Sequence, residues 1–412
     1  MSDDFPTEWQ FARLEDSLDA LIDYRGKTPT KTTFGIPLVT AKIIKGGHIE
    51  EPQEFIAEHE FDKWMSRGLP LPGDVVMTTE APLGEIAQLD GRKVALAQRV
   101  ITLRGRAGYL DNTFLRFLMQ SAFVQDQLSG RASGTTVMGI RQSELRGVTL
   151  VIPTINEQRA IARVLRSLDD KIELNRRMNQ TLEDLAGALF GAWFMEHGSS
   201  AEPVMAETLI DQRILLIGDG YRAKNSEMGS HGTPFVRAGN LQDSGINLTD
   251  ADLLRPESVA AAGQKIGMVG DVAFTSKGTV GRLTRVSTKT GAFVYSPQVC
   301  FWRSLAPNRL HPNVLYRWMK TDEFLGQVAA VSGQTDMAPY VSLRDQRRME
   351  INLPKSASQQ KLGTRLAVFD DMIAANNEQS HTLAALRDTL LPKLLSGELR
   401  VKLADKSAGA AT

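Results

Sequence analysis

LDDKIELNRRMNQTLEDL at residues 168–185 and FDDMIAANNEQSHTLAAL at 369–386 are one helical phrase written twice, 201 residues apart in a chain of 412. A repeat of this period constrains the fold more than composition does, because each copy has to build the same kind of unit. Other landmarks recur in the same order. Tyr24-Arg25 returns as Tyr221-Arg222, Gly73-Asp74-Val75 as Gly270-Asp271-Val272, and Gln98 as Gln298. Ser133-Gly134 returns as Ser332-Gly333, and VTLVIP at 148–153 as MEINLP at 349–354. The offset drifts only between 197 and 201 residues, as short loop insertions would make it do.

Each half opens on a mixed segment rich in Gly and Pro, with β-branched runs such as Asp74–Met77 and Arg99–Leu103 and helical stretches at Asn112–Leu128 and Pro312–Val328. That pattern predicts an α+β domain. A long helix follows. The expected divisions are a first mixed domain over 1–153, a helix over 154–197, a second mixed domain over 198–354, a second helix over 355–403 and a tail over 404–412.

Thr154-Ile155-Asn156-Glu157 fits a capping box, with the Thr hydroxyl and Glu carboxylate satisfying free backbone amides, and Ser356–Gln359 gives a similar start. Beyond it Ile161, Leu168, Asn175, Leu182 and Leu189 fall every seven residues, widened by residues that include Met178 and Leu185. The second helix repeats this with Leu362, Phe369, Asn376, Leu383 and Leu390. Seven-residue spacing over five positions predicts a coiled-coil seam. A helix of nearly 40 residues is about 57 Å long. The expectation is therefore two antiparallel coiled-coil helices relating the halves by a pseudo-twofold axis. Asn175 and Asn376, each mid-helix, are expected to pair across the seam and fix its register.

Catalytic signatures are missing. The sequence has no GxxxxGK[ST] or GxGxxG loop, no HExxH, no Cys/His zinc spacing and no GxSxG elbow. An Asn-Pro-Pro-aromatic tetrapeptide, expected of an adenine methyltransferase, is absent too. Asp74 and Asp271 could be read as metal ligands, but each follows Gly at a strand start, where Asp shapes a turn. Cys300, the single cysteine, sits in an apolar run and fits a core position in a reducing cytosol. The amino terminus lacks a signal-peptide pattern and no run reaches the roughly 18 apolar residues of a membrane span, so the expected location is cytoplasmic. With 48 basic and 48 acidic residues the formal charge is zero, so nucleic-acid binding would need local patches or a partner that supplies charge. Two similar but non-identical domains on a rigid spacer suit two unlike DNA half-sites about one helical turn, 34–36 Å, apart.

The helical phrases carry a resemblance. Glu157-Gln158-Arg159, Ile161-Ala162, Leu165, Leu168–Ile172, Asn175, Asn179, Leu182, Ala188-Leu189-Phe190 and Trp193-Phe194, with the closing LRDTLLPKLLSGEL at 386–399, resemble the specificity subunit of type I restriction–modification enzymes. Ser358-Gln359-Gln360 departs from the usual acidic-Gln-basic start. The resemblance implies two target recognition domains separated by two long helices. It implies two methyltransferase subunits as partners, using S-adenosylmethionine to methylate adenine in each half-site, and motor–nuclease subunits in the full complex. It also implies that this chain has no catalytic role, no cofactor and no metal of its own. The other readings are a free-standing DNA-binding regulator and a nuclease with an unfamiliar site.

Base readers need Arg, Lys, Asn or Gln on loops, with phosphate contacts from Lys, Arg, Ser and Thr. In the first domain the candidates are Tyr24, Arg25, Lys27, Lys42, Lys45, Thr78, Thr79, Glu80, Arg131, Ser133, Thr135 and Thr136. In the second they are Tyr221, Arg222, Lys224, Arg237, Asn240, Thr275, Ser276, Lys277, Ser332, Gln334 and Thr335. Phe190, Trp193, Phe194, Leu391, Pro392 and Leu395 are the candidate surface for docking methyltransferase helices.

Overall fold

The computed structural model describes residues 5–26, 28–198, 201–242, 245–332, 339–354 and 357–401. Lys27, Gly333, Gln334, Thr335, Ser356 and the 404–412 tail lie outside the described residues. The chain forms two compact units. The first takes residues 1–171 and 383–412, the second 172–382.

In the first unit strands β1 (Leu18–Asp23), β2 (Val75–Thr79), β3 (Leu83–Gln88) and β4 (Val100–Gly105) form an antiparallel sheet in the order β1-β4-β2-β3. Helix α1 (Asn112–Gln120) starts where the Asp111 carboxylate accepts the Thr113 and Phe114 amides, 2.9 and 3.0 Å away. It lays Phe114, Leu115, Phe117 and Leu118 into a core with Val75, Met77, Ile101 and Leu103. The chain then enters the first long helix, α2 (Ile155–His197), which begins in this unit and ends in the other.

The second unit repeats the plan. Strands β5 (Leu215–Asp219), β6 (Val272–Thr275), β7 (Leu283–Arg285) and β8 (Val299–Ser304) take the order β5-β8-β6-β7. Helix α3 (Pro312–Met319) covers them, and α4 (Ala357–Ser396) is the second long helix. The smaller sheets repeat as well. Ile36–Val39 lies between an antiparallel and a parallel neighbour, and so does Thr233–Val236. Antiparallel strands with helices set apart from them make each unit mixed α and β.

The Gly-Asp repeat has a structural explanation. Gly73 and Gly270 have φ of +86° and +90°, a turn glycine makes at least cost. The next Asp closes the turn: Asp74 accepts the Leu71 amide and Asp271 the Met268 amide, at 2.8 and 2.9 Å. Each carboxylate then takes a two-pronged Arg from the neighbouring strand, Arg104 or Arg303.

The long helices pack antiparallel within each unit. In the first, Asp169 of α2 meets Arg387 of α4 at 2.8 Å, and Glu157 meets Arg400, just past α4, at 2.7 Å. In the second, Trp193 donates to Ser358 at 2.8 Å while Asn175 reaches Gln379 at 3.0 Å. Helix α4 stops at Gly397, φ +78°, where a Cβ would stand 2.4 Å from Pro6, and the Leu399 amide caps the Lys393 carbonyl. Arg400 then joins Glu8 at 2.7 Å, so the first and last described segments of the chain meet inside the first unit.

The structure corrects three helix expectations. Glu157 does not complete a capping box; Thr154 accepts the Glu157 amide, but the Glu157 carboxylate accepts from Trp9 and Arg400 instead. The amides of Asn175 and Asn376 do not pair with each other. Asn175 donates to the Asn376 carbonyl, Gln379 and Ser380, and Asn376 donates to Asn179, which in turn donates to Asn377. A polar cluster replaces the pair. Nor do the heptad positions form one seam. Ile161 and, half-buried, Leu390 pack in the first unit's core, and Leu362, Leu189 and Phe369 in the second's. A straight helix drifts about 20° per heptad, so a seven-residue stripe rotates from one neighbour to the next. Asn175 and Leu182 are buried, Leu168 and Leu383 half-buried, whereas Met178 and Leu185 face outward.

Candidate nucleic-acid interface

Loops converge at the same end of the central strands in each unit, four in the first and three in the second. In the first unit the Thr79 amide donates to the Arg99 carbonyl at 2.9 Å, and the Ile140 amide to the Thr79 carbonyl at 3.0 Å. Glu80 bridges to Gly139, and Arg25 donates to the Ile140 carbonyl at 2.8 Å. Thr28 reaches Gln98 at 3.3 Å. The second unit repeats the bonds among three of these loops. The Ser276 amide donates to the Gln298 carbonyl at 3.2 Å, and the Val341 amide to the Ser276 carbonyl at 2.9 Å. Lys277 bridges to Tyr340, as Glu80 does to Gly139.

One backbone frame thus carries different side chains. Where the first unit holds Glu80 paired with Arg99 at 2.8 Å, the second has exposed Lys277 and Gln298. Arg suits guanine, Gln adenine, and a carboxylate accepts from the cytosine amino group. Arg99, Gln298 and Tyr340 are exposed on this frame and were missed by the candidate sets. The structure thus corrects the sequence match of Gln98 with Gln298: Val100 and Val299 open the strands that follow the hairpins, so Arg99 is the counterpart of Gln298.

The frame sorts the predicted residues. Ser133, Thr135, Thr136 and Lys277 lie on it and are exposed. Arg25 lies on it too, held by Asp23 at 2.5 Å. Arg222 projects with its side chain 82% exposed, 3.7 Å from Asp219. Lys224 is exposed, and its backbone amide donates to Glu227.

Several others are taken from the surface. Tyr24 is buried, stacks on Trp64 and donates to the Gly68 carbonyl; burial pushes its hydroxyl up to about 12. Thr78, Thr79, Thr275 and Ser276 are buried on or just past the central strands. Thr78 accepts the Glu85 amide and Thr275 the Arg282 amide, both at 2.9 Å, so these hydroxyls close the hairpins rather than face a ligand. Tyr221 donates to Glu227 at 2.9 Å, a bond that raises its hydroxyl above the usual range.

Lys45 pairs with Glu50 at 3.0 Å, Arg237 with Asp252 at 2.6 Å, and Asn240 accepts the Arg237 amide. Arg131 stands 3.6 Å from Glu144, and Ser332 closes the last turn of its own helix on Ala329. Lys42 is exposed on a short turn.

The expected docking patch is corrected. Phe190 and Trp193 are buried in the second unit's core with Phe194 against it, and Leu395, with Leu391 beside it, belongs to the first unit's core. Only Pro392 of the six is exposed. These apolar residues cover their own units, which is the cheaper use of their surface. Cys300 is buried too, with its thiol pushed up by burial. Among the described residues no group of His, Cys, Asp or Glu could hold a metal ion, and no helix is long and apolar enough to cross a membrane.

Comparison with known proteins agrees with this geometry. Residues 6–184 match the type I restriction modification DNA specificity domain. The specificity subunit of the type I restriction enzyme MjaIX from Methanocaldococcus jannaschii is 25% identical, over 96% of this chain and 95% of its own length. A putative type I specificity subunit from Mycoplasma pneumoniae is 24% identical over 69% of this chain and 72% of its own. In fold, the chain is similar to the crystal structure of a type I restriction–modification S subunit from M. genitalium, with a TM-score of 0.59 at 18% identity, covering 96% and 97% of the two chains.

Proposed function

We propose that this chain, whose residues 6–184 match the type I restriction modification DNA specificity domain, is a specificity subunit of that family and reads an asymmetric bipartite target, one half with each recognition segment. The family is non-catalytic, and its members are the specificity subunits of type I restriction enzymes. The reading segments are 1–153 and 198–354, and 154–197 and 355–403 are the spacer helices. The observation that carries the proposal is the repeated three-loop frame with Glu80 and Arg99 in one copy and Lys277 and Gln298 in the other. Equal frames give equal approach to a groove, and unlike side chains give unlike half-sites.

Two methyltransferase subunits, carrying S-adenosylmethionine, and motor–nuclease subunits complete the assembly. Leu174, Met178 and Leu185 fall within 40° of one another on α2 at 100° per residue and remain exposed, which supports this stripe as the methyltransferase docking surface. Selection from a randomised duplex library by the chain with its methyltransferase partner tests the reading. Two unlike motifs at fixed separation support it. A single motif, or two identical ones, contradicts it, and equally tight selection by the chain without partners favours a free-standing regulator.

A further inference from the structure

Each long helix grips the short helix of its own recognition segment at two polar points. Gln158, fully buried, accepts the Asp111 amide at 2.9 Å and donates to the Tyr109 and Pro153 carbonyls at 2.9 Å each. Eleven residues on, Asp169 accepts from Arg116 of α1 and from Arg387 at 2.8 Å. The second unit repeats both points at the same spacing. Gln359 accepts the His311 amide at 2.7 Å and donates to the Pro354 carbonyl at 3.2 Å. Asp370 accepts from Arg317 of α3 and lies 3.4 Å from Arg285.

Between the points Ile161, Ala162 and Leu165 in one unit and Leu362 and Leu366 in the other pack into the apolar cores, with polar contacts at the rim from Arg159, 4.0 Å from Asp111, and from Gln360 to the Pro307 carbonyl, and with Glu183 of α2 sharing Arg317. Apolar packing is non-directional, whereas hydrogen-bonded and ionic contacts fix register. The two arginines do not occupy equivalent places. The following turns align Ser121 with Thr321, both of which accept the amide three residues on, so Arg116 falls one position before Arg317. The grip on the aspartate is kept although the residue supplying it has shifted.

We propose that Gln158 with Asp169, and Gln359 with Asp370, form a two-point latch that sets the angle of each recognition segment on its long helix and so decides which half-site separation is accepted. The inference rests on the bipartite reading above. Eleven helical residues span about 16 Å and return to within about 20° of the same face. With about 1 Å of play, two anchors at that distance hold a tilt to about 4°, whereas one anchor leaves a pivot. A one-base-pair change in separation rotates a half-site by about 34° and moves it about 3.4 Å. Two anchors reject that change and one does not.

The test uses the full chain co-expressed with its methyltransferase partner, on plasmids carrying the target with its separation unchanged, one base pair shorter or one longer. Asp370→Asn and Asp169→Asn remove the charge at similar shape. Arg317→Lys keeps the charge and loses the planar fork, as a milder variant. Expected is a rise of about tenfold or more in methylation at altered separations relative to the original, about 1.4 kcal/mol of discrimination, with the bases read in both halves unchanged. An equal loss at every separation, or a changed base preference, overturns the latch. Insolubility of all three variants reduces it to a folding element and overturns it too. If the unaltered chain directs no split pattern, the bipartite reading itself has failed and the latch falls with it.

Discussion

Replacing Asp271 with Asn removes a charge from a fully buried site while keeping the side chain's shape. The carboxylate accepts the Met268 amide at 2.9 Å, the Tyr295 hydroxyl at 3.1 Å and two bonds from Arg303 at 2.7 Å. The Arg303 side chain is only 9% exposed, so the variant strands a cation that water cannot reach. Breaking a buried pair in this way costs about 3–5 kcal/mol. The Gln264 and Ile266 carbonyls still accept from Arg303, which places the cost near the lower end, about 3 kcal/mol. Asp74→Asn is the internal control. Its partner Arg104 is 24% exposed, so hydration relieves part of the loss and the cost is about 1–2 kcal/mol. Urea unfolding followed by tryptophan fluorescence separates the two cases, because Trp302 and Trp318 report the second unit and Trp9 and Trp64 the first. At a slope of about 2 kcal/mol per molar, Asp271→Asn lowers the second unit's midpoint by about 1.5 M. A drop no larger than that of Asp74→Asn refutes the reasoning from burial.

Three further outcomes are expected. Glu183 is pushed up by burial, but Arg317 and Lys320 outweigh this and hold it below the usual glutamate range. Its folded form therefore binds a proton less readily than its unfolded form, so its stabilisation is present above that range and lost as pH falls through and below it. Glu183→Gln should flatten the second unit's acid unfolding limb, which a pH series of melting curves reads. Lys277→Ala and Arg222→Ala should each weaken DNA binding by the complex and, where phosphate is the contact, reduce the salt slope by about 0.9, seen in titrations at several salt concentrations. Asn175→Leu should lower the stability of the second unit by about 1 kcal/mol, because the Asn376 carbonyl, Gln379 and Ser380 lose the amide that donates to them; urea unfolding checks this.

Much of the architecture was legible because the repeat is written in chemistry each unit needs. Gly73-Asp74 and Gly270-Asp271 recur because a left-handed turn and a buried carboxylate recur. The long helices were legible from their periodicity, but the surface each residue faces was not. A stripe read at seven residues passes between neighbours as the helix drifts, which is how Ile161 and Leu189 enter domain cores while Asn175 faces the other helix. The interface was legible as loops and not as side chains. Thr78 and Thr275 look like ligand hydroxyls in sequence and turn out to close hairpins. Arg99 and Gln298 gain their places from hydrogen bonds made by residues about 20 positions away. Gln158 and Gln359 were visible as parts of a motif, but their grip on α1 and α3 exists only in three dimensions.

The central claim is that the two units read different bases for one modification complex. Mapping modified adenines in host DNA, with and without co-expression of this chain and its methyltransferase partner, tests it most directly. The account predicts a split motif with two unlike halves at one separation, present only when both proteins are made. A palindromic motif, or no new methylation from soluble, associated proteins, would contradict it.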